Sequence, residues 1–387
     1  MNGREPAVKS KLVIVALMLF TVFVGFGIII PVLPQIVADV NAESAEWHTG
    51  LMLTAYSLIS FLLSPFWGGL SERVGRRPVI MIGVLGFSAS FLLFGLSGGN
   101  LVMMYASRLL GGLFSGAVVS CIVAYVADIT TNEERTKGMA VIGMSIGLGF
   151  TFGPLFGGLL SKVTLYTPFF VASALSLVTF AAAAAVLKES LPPEARAEAG
   201  SRRAASRWTA FRGSLKYLYV LAFFVTFSLA ILEATLVRVG LMFFFCGLTG
   251  AAVQGGFVRR KVKAGQEGAY IAAGLVFSAA GFLLLLTAHH WIVAMIDLCI
   301  FGVGNSLIKP CVTSLITQKT TVGQGVASGL SSSMDSLGRI VGPLLGAALF
   351  HLAPRLPFIV SGLLSLGSLA LLAGFRKEDR RASSAAG

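Results

Sequence analysis

Residues 149–158 read GFTFGPLFGG, and residues 338–346 read GRIVGPLLG. In both stretches a Gly-Pro step begins four residues after a leading glycine, and another glycine follows three residues after the proline. Matched spacing in two distant parts of one chain predicts that the protein is built from duplicated halves. Parallel halves around a central binding site are a recognised design of membrane transporters.

The sequence around both stretches is too apolar for a soluble domain. Hydrophobic residues make up 56% of the 387 residues and charged residues only 12%, whereas soluble domains usually carry about 25% charged residues. Because so few charges cannot cover a water-facing surface of this size, we expect lipid to surround much of the chain. A helix needs roughly 20 apolar residues to cross the ~30 Å hydrocarbon core of a bilayer.

Apolar runs of that length predict twelve membrane-spanning helices in two groups of six. The first group covers residues 11–37, 48–71, 78–98, 100–127, 136–161 and 166–187, and the second covers 215–238, 240–257, 269–288, 291–316, 323–351 and 355–375. The predicted fold is an all-α polytopic membrane protein in which two six-helix bundles, related by pseudo-two-fold symmetry, surround a central cavity. We predict an N-terminal bundle over 1–187, a cytoplasmic linker over 188–214 and a C-terminal bundle over 215–387.

The positions of the basic residues predict the orientation of the helices. Although the formal net charge is +13, most of the 30 lysines and arginines fall in short segments at one end of the predicted helices, and the opposite loops hold only Lys162 and Arg355. By the positive-inside rule, both termini are then cytoplasmic in a multi-pass protein of the cell (plasma or inner) membrane. Basic residues scattered over short loops do not form a nucleic-acid surface. The expected partners are lipid, protons and a small-molecule substrate, and the expected state is a monomer.

The turn between the second and third predicted helices, residues 68–78, reads GGLSERVGRRP, whose glycines allow a tight turn close to a neighbouring helix. Glu72 and Arg76 lie four residues apart, and Asp128 at the inner end of the fourth helix is a natural partner for Arg76. A charge latch that is made in one conformation and broken in another is the bistable element that alternating access requires. The alternative is a basic loop that only orients the chain. The predicted latch residues are Gly68, Glu72, Gly75, Arg76, Arg77 and Asp128.

This turn resembles the signature loop of the major facilitator superfamily, and three further stretches resemble the drug:proton antiporter branch of that superfamily. Residues 25–34, GFGIIIPVLP, are similar to the opening helix of bacterial tetracycline and multidrug exporters, and residues 108–112, RLLGG, resemble the intramembrane arginine motif. The fifth helix resembles the antiporter motif through Gly149, Gly153, Pro154, Gly157 and Gly158. Ala140 replaces the usual leading glycine of that motif. The resemblance implies two six-helix bundles that rock about a central cavity.

Two charges inside predicted helices are candidates for proton coupling. Arg108 would cost at least ~2.5–3.5 kcal/mol on insertion scales unless it meets an acceptor or a water-filled cavity, and the family motif implies that it tunes or relays a proton. The alternative is a structural arginine bonded to helix-end carbonyls. Glu233 stands alone in the apolar run 227–235 and resembles the acidic residue of helix seven in quinolone and multidrug exporters. A carboxyl in an apolar wall can hold a proton or a cationic drug but not both. The alternative is that Glu233 lies merely at a loop or helix end.

Other charges inside the helices give weaker signals. Asp335 and Arg339 lie four residues apart on the eleventh helix, so we expect them to pair along one face. Lys309 in the tenth helix occupies a place where relatives often carry a basic residue. Some relatives also carry a carboxylate a few positions earlier, where this chain has Asn305 and Ser306. This difference argues against a second proton-carrying acid.

The composition also bears on the substrate pocket. The chain has 29 phenylalanines and 11 methionines, and promiscuous pockets use adaptable apolar surfaces of this kind. Most of these side chains must nevertheless face lipid or pack between helices. The residues predicted to bind substrate, besides Glu233, are Met18, Met52, Tyr56 and Met144.

These features predict a proton-coupled efflux transporter that exports drug-like, amphipathic or cationic small molecules by alternating access. The sequence contains no Gly-x4-Gly-Lys-Ser/Thr phosphate loop, so the proton gradient is the expected energy source, with no cofactor, no metal and no enzymatic activity. One alternative is an exporter of a metabolite such as a sugar, which binding assays with lipophilic cations against sugars would separate. The other is a non-transporting paralogue, because the run from Glu233 to Arg259 leaves helices seven and eight unusually short.

Overall fold

The computed structural model describes residues 4–41, 43–196, 211, 213–235 and 240–386, and the regular structure in these ranges is helical. The main helices are α1 (Arg4–Val40), α2 (Ala45–Val74), α3 (Arg76–Gly95), α4 (Leu101–Ile129), α5 (Arg135–Leu160), α6 (Thr167–Val186), α7 (Leu215–Thr235), α8 (Gly240–Ala252), α9 (Glu267–Leu284), α10 (Trp291–Lys319), α11 (Gln324–Leu352) and α12 (Leu356–Ala386). Their number and order agree with the twelve predicted helices.

Ten of these helices are long and apolar enough to cross a membrane. The two others are α8 and α11. The short helix α8 continues through a π-helical segment, Val253–Val258, and a final turn, Arg259–Lys261. Helix α11 is long, but it carries a run of buried serines at 331–333. Polar side chains inside a membrane protein face the bundle interior rather than lipid, so α11 belongs near the centre of the molecule.

The packing of the helices repeats between the two halves. In the N-terminal half α1 packs on α5 and α6, α4 packs on α2 and α3, and α3 packs on α6. In the C-terminal half α7 packs on α11 and α12, α10 packs on α8 and α9, and α9 packs on α12. Each pair in one half has its counterpart six helices further along the chain. The predicted fold of two six-helix bundles is therefore confirmed.

The glycines of the repeated stretch have the same structural role in both halves. A Cβ on Gly153 would lie 2.6 Å from the Cα of Gly27 in α1, and Gly149 and Gly157 approach the α1 backbone in the same way. In the C-terminal half Gly338, Gly342 and Gly346 meet the α7 backbone and side chains at Phe227, Ala230 and Ile231. Small residues let membrane helices approach closely. Of the predicted motif, Pro154 also contacts Gly27, whereas Gly158 has open space beside it.

The main contacts between the two bundles involve six helices. Helix α11 packs on α2 and α4, and α5 packs on α8 and α10. We call the end of the molecule that holds the α2–α3 turn the inner end, following the predicted orientation. The contact between α2 and α11 runs from this inner end, where Gly68 meets Gly325, to the middle, where the Ser333 hydroxyl donates to the Phe61 carbonyl oxygen at 2.7 Å.

Several predicted boundaries differ from the observed ones. Helix α1 begins at Arg4 rather than at 11, and α12 continues to Ala386 rather than ending at 375, because its polar last turns stay helical. Between α7 and α8 the described chain is interrupted at 236–239, and the π-helical segment replaces the predicted regular end of α8. Most of the predicted linker, 197–210, lies outside the described residues, so the domain limits 1–187, 188–214 and 215–387 stay predictions.

Candidate functional site

A cavity lies at the centre of the molecule, between the two bundles. The space between protein atoms there, open solvent included, is about 610 Å³, and the walls come from α1, α2, α4 and α5 on one side and from α10 and α11 on the other. Its hydroxyl groups belong to Tyr56, Ser57, Ser60, Ser115, Ser332 and Ser336. A concave site with convergent polar groups inside a transmembrane bundle is a candidate binding site.

An aromatic cluster lies at this cavity: Phe23, Phe26 and Tyr56 line it, and Phe150 of α5 contacts the first two. The ring centroid of Phe26 lies 5.4 Å from those of Tyr56 and Phe150, and the centroid of Phe23 lies 5.1 Å from that of Phe150. The rings are tilted or edge-on, which are arrangements that aromatic pairs prefer. Tyr56, which was predicted to bind substrate, lies in this cluster and lines the cavity.

The three methionines predicted to bind substrate do not line this cavity. Met18 and Met52 are fully buried in the hydrophobic core of the N-terminal bundle. Met144 lies against Gly255 in the π-helical segment that continues α8. A flexible unbranched side chain fills gaps in a core as readily as it lines a pocket, and methionine content alone cannot distinguish these two uses.

A lysine–aspartate pair lies on the C-terminal side of the cavity. Lys309 Nζ of α10 lies 3.2 Å from Asp335 Oδ2 of α11, and each side chain is 25% exposed. The Thr226 hydroxyl of α7 donates to Asp335 Oδ1 at 2.5 Å and accepts from Lys309 Nζ at 3.3 Å. The predicted pairing of Asp335 with Arg339 is therefore wrong, because a neighbouring helix brings a closer cation to the carboxylate.

Arg339 instead contacts the aromatic cluster at the cavity. Its guanidinium carbon lies 4.8 Å from the ring centroid of Phe150 and 5.3 Å from that of Phe26. These are cation–π distances. The side chain is half-buried and lines the cavity, so the C-terminal wall presents two cations and one carboxylate among the residues that the structure describes.

Arg108 lies in the N-terminal bundle, apart from the lining of the cavity. It is 1% exposed, and its Nη2 donates to the Ser107 hydroxyl at 3.0 Å. Its guanidinium carbon lies 4.7 Å from the ring centroid of Phe94 and 5.4 Å from that of Phe91. The Nε atom has no hydrogen-bond partner among the described residues. The acceptor that a buried arginine needs is thus only partly supplied by the surrounding side chains.

Glu233, the other residue predicted to couple protons, lies on α7 near its end at Thr235. Its side chain is outside the described part of the structure. Its helix packs on α11, which carries Asp335 and Arg339.

At the inner end of the molecule, Glu72 of the N-terminal bundle contacts the start of α11 in the C-terminal bundle. Glu72 Oε1 accepts hydrogen bonds from the backbone N–H groups of Gly325 at 2.8 Å and Val326 at 3.2 Å. These N–H groups belong to the first turn of α11, where the helix has no internal acceptor for them and where its dipole favours a negative charge. Nearby, Gly68 and Gly325 touch backbone to backbone. Glu72 therefore joins the two bundles through the main chain rather than through a partner charge.

The other predicted latch charges lie within the N-terminal bundle. Arg76 is 1% exposed, and its Nε lies 3.0 Å from Asp128 Oδ2. Its Nη1 donates to the Ser71 hydroxyl at 2.6 Å, and the Ser190 hydroxyl donates to the same Asp128 oxygen at 3.0 Å. The structure thus brings Arg76 and Asp128 together as expected from the sequence. This ion pair connects α3 to α4 in one bundle and does not cross to the other.

Glu189, which follows α6, also holds the start of α3. Its carboxylate accepts from the backbone N–H groups of Arg76 at 2.9 Å and Arg77 at 3.1 Å. The Arg77 guanidinium donates to the Ala184 carbonyl oxygen at 2.9 Å. Gly75 before it has a φ of 116°, a left-handed value that favours glycine. The α2–α3 turn is therefore fixed to its own bundle, and both Glu72 and Gly68 connect it to α11.

A second contact at the inner end joins α5 to the C-terminal bundle. Arg135 Nη1 donates to the Thr317 carbonyl oxygen at 3.1 Å. The Thr136 hydroxyl donates to Glu267 Oε1 at 2.9 Å, and Gln318 Nε2 donates to the same oxygen at 3.2 Å. Helix α5 is the counterpart of α11, and the α8–α9 region is the counterpart of the α2–α3 region. The second contact is therefore the pseudo-symmetric counterpart of the Glu72 contact.

A family model and individual relatives agree with this architecture. The model of the Major Facilitator Superfamily matches residues 15–323 and 269–387. The chain belongs to the major facilitator superfamily. This membership confirms the resemblance carried by the α2–α3 turn and by the motifs in α1, α4 and α5.

Similar major facilitator proteins cover almost the whole chain. Multidrug resistance protein 2 of Bacillus subtilis (strain 168) is 29% identical over 392 residues, covering 97% of this chain and 97% of that protein. Quinolone resistance protein NorA of Staphylococcus aureus is 27% identical over 369 residues, covering 92% of this chain and 93% of that protein. The crystal structure of the human organic anion transporter MFSD10 (TETRAN) superposes with a TM-score of 0.82 at 26% identity, covering 94% of this chain and 99% of that chain.

Several residues of this major facilitator site were missed by the sequence reasoning. Glu189 and Glu267 lie beside turns, outside any recognised motif, and only the folded chain shows that they bind helix starts in their own or the other bundle. The pairing of Lys309 with Asp335 could have been inferred from two lone charges at similar depth in neighbouring helices.

Proposed function

We propose that this protein exports drug-like, amphipathic molecules across the cell membrane in exchange for protons, by alternating access, with both termini in the cytoplasm. The observation that supports this most is the central cavity between two pseudo-symmetric bundles, lined by aromatic rings and by charges of both signs. Such a surface accepts varied flat, apolar molecules with a charged group. The proposed activity is transport, not catalysis.

The contacts at the inner end support alternating access. Glu72 to α11 and Glu267 to α5 both connect the bundles through hydrogen bonds that can be broken without unfolding either bundle. In the proposed cycle, these contacts close the inner side of the cavity in one of its two states. An inward-facing state requires that both contacts open while the ties within each bundle persist, such as the pair of Arg76 with Asp128. Two such states are what a transporter needs to carry substrate across.

Proton coupling is proposed to use Glu233 and Arg108. A carboxyl in an apolar wall exchanges a proton for a cationic group, since it cannot bind both comfortably. Arg108 is buried with an unsatisfied Nε, and a charged group left this way responds strongly to a change of charge nearby. The proton gradient then supplies the energy, without a cofactor.

The relatives favour drugs over other substrates. The similar bacterial proteins are named for multidrug and quinolone resistance, and the similar human structure is named an organic anion transporter. Amphipathic drugs and organic anions both suit an aromatic cavity with cationic groups. Among the described lining residues Asp335 is the one carboxylate and none carries an amide, whereas sugar hydroxyls are usually bound by several such groups, so a sugar suits this lining less well.

Transport into inside-out membrane vesicles with an acidic interior tests this function. We expect wild-type vesicles to accumulate the fluorescent zwitterion norfloxacin and the cation ethidium, and to release both when a protonophore collapses the gradient. Glu233→Gln should abolish the gradient-driven accumulation. The control Glu134→Gln, an exposed glutamate before α5 with no side-chain capping bond, should leave it unchanged. Absence of accumulation by wild type would support the non-transporting paralogue, and unchanged accumulation by Glu233→Gln would remove Glu233 from the coupling.

A further inference from the structure

We propose that Arg339 is an anion-binding residue of the central cavity and that the transported molecules include aromatic carboxylates bound through it. This inference rests on the proposed transport through the cavity and names a substrate class for it. It assigns the binding of the acid group of such molecules to one residue.

The first argument is the charge balance of the cavity wall. Lys309 and Asp335 neutralise each other at 3.2 Å. Arg339 lies on the same wall, and no carboxylate of the described residues lies within ion-pair distance of its guanidinium. A cation at membrane depth is costly unless it is paired or faces water. The wall thus presents one net positive charge to the cavity, which favours an anionic group there.

The second argument is the geometry around the guanidinium. Arg339 lies 4.8 Å from the Phe150 ring centroid and 5.3 Å from that of Phe26. The two ring contacts hold the guanidinium beside the cavity, and its N–H groups form a rigid fork that matches the two oxygens of a carboxylate. The cluster that continues to Tyr56 offers ring faces for the aromatic part of the same ligand. The acid group and the aromatic ring of one ligand therefore both have binding partners in this cavity.

The third argument comes from the internal repeat. Phe150 follows Gly149 in α5, and Arg339 follows Gly338 at the matching place in α11. The two residues are therefore pseudo-symmetry counterparts, and they contact each other, with the Arg339 guanidinium carbon 4.8 Å from the Phe150 ring centroid. One half presents a ring and the other a cation at the same position. This difference between otherwise matched halves gives the cavity an apolar wall and a cationic wall, as an amphipathic acid requires.

Binding of matched probes to the detergent-solubilised full chain tests the inference without any proton gradient. The probes are 1-naphthoate and its neutral analogue 1-naphthamide, measured by isothermal titration calorimetry. We expect wild type to bind the acid at least tenfold more tightly than the amide. Arg339→Gln should reduce this preference to within threefold while amide binding stays within threefold of wild type. Arg339→Lys, which keeps the charge and loses the fork, should give an intermediate preference.

The control variant is Arg355→Gln, an exposed arginine of an outer turn, which should retain the full preference for the acid. Amide binding reports whether each variant is folded. The inference is overturned if Arg339→Gln retains the wild-type preference, if the amide and the acid weaken together, or if wild type binds neither probe at millimolar concentration. Failure of vesicle transport with an intact acid preference would instead count against the proposed function alone.

Discussion

Replacement of Glu72 by glutamine tests whether its contact with α11 holds the inner end closed. In the structure one carboxylate oxygen accepts from the N–H groups of Gly325 at 2.8 Å and Val326 at 3.2 Å. Hydrogen bonds to a charged group contribute about 1.5–3 kcal/mol, and neutral ones about 0.5–1.5 kcal/mol. The charge at the start of a helix adds about 0.3–1 kcal/mol. Glutamine keeps an acceptor oxygen but no charge, so Glu72→Gln should destabilise the closed inner end by about 1–2 kcal/mol.

That difference corresponds to a 5–30-fold change in the ratio of closed to open molecules. Spin labels placed at Glu133 and Lys263, exposed positions in inner turns of opposite bundles, would report the ratio as a distance distribution. We expect Glu72→Gln to transfer population from the short distance to a longer one. The matched control, Glu134→Gln at the exposed start of α5, should leave the distribution unchanged.

Two outcomes would refute the reasoning about Glu72. One is an unchanged distance distribution in Glu72→Gln, which would mean that the main-chain contact contributes nothing to closure. The other is an equal shift in Glu134→Gln, which would mean that the effect reflects the net charge of the inner surface rather than the contact.

Other substitutions test the packing and the cavity. Gly68→Ala places a methyl group against the Gly325 carbonyl of the facing helix. The same spin labels should therefore show the open state more often than in Glu72→Gln. A purely closed distance distribution would contradict this expectation. Gly153→Val should destabilise the protein by about 1–3 kcal/mol through overpacking against α1, whereas Gly158→Val, beside open space, should have little effect on the melting temperature. Lys309→Met should destabilise the protein by about 1–3 kcal/mol, because it leaves the partly buried carboxylate of Asp335 without its cation. The double variant with Asp335→Asn should melt higher than Lys309→Met, and additive losses would argue against the pair.

Much of the fold follows from the sequence for physical reasons. A bilayer imposes a minimum length on apolar runs, which is why the twelve helices could be predicted from runs of that length. The repeated glycines predict duplicated halves, and the structure explains the spacing, because Gly149 and Gly153 in α5, and Gly338 and Gly342 in α11, meet the first helix of their own half. Helix ends were less predictable, since the polar last turns of α12 stay helical beyond the apolar run.

The site was predicted less completely, because sequence spacing describes one helix at a time. The four-residue spacing of Asp335 and Arg339 permits their pairing, but the Asp335 carboxylate forms its ion pair with Lys309 of another helix. The partners of Glu72 could not be predicted from charged residues, because they are backbone N–H groups of α11. Met18 and Met52 show the same limit, because composition does not reveal which side of a helix faces a cavity.

Reconstituted proteoliposomes with an acidic interior and a trapped pH-sensitive dye test the central claim most directly. The claim is that outflow of protons and entry of substrate through the central cavity are one coupled process. With protein inserted inside-out, addition of norfloxacin should raise the interior pH as protons leave in exchange, and Glu233→Gln should abolish the rise. Norfloxacin entry without any change of interior pH in wild type would contradict proton antiport.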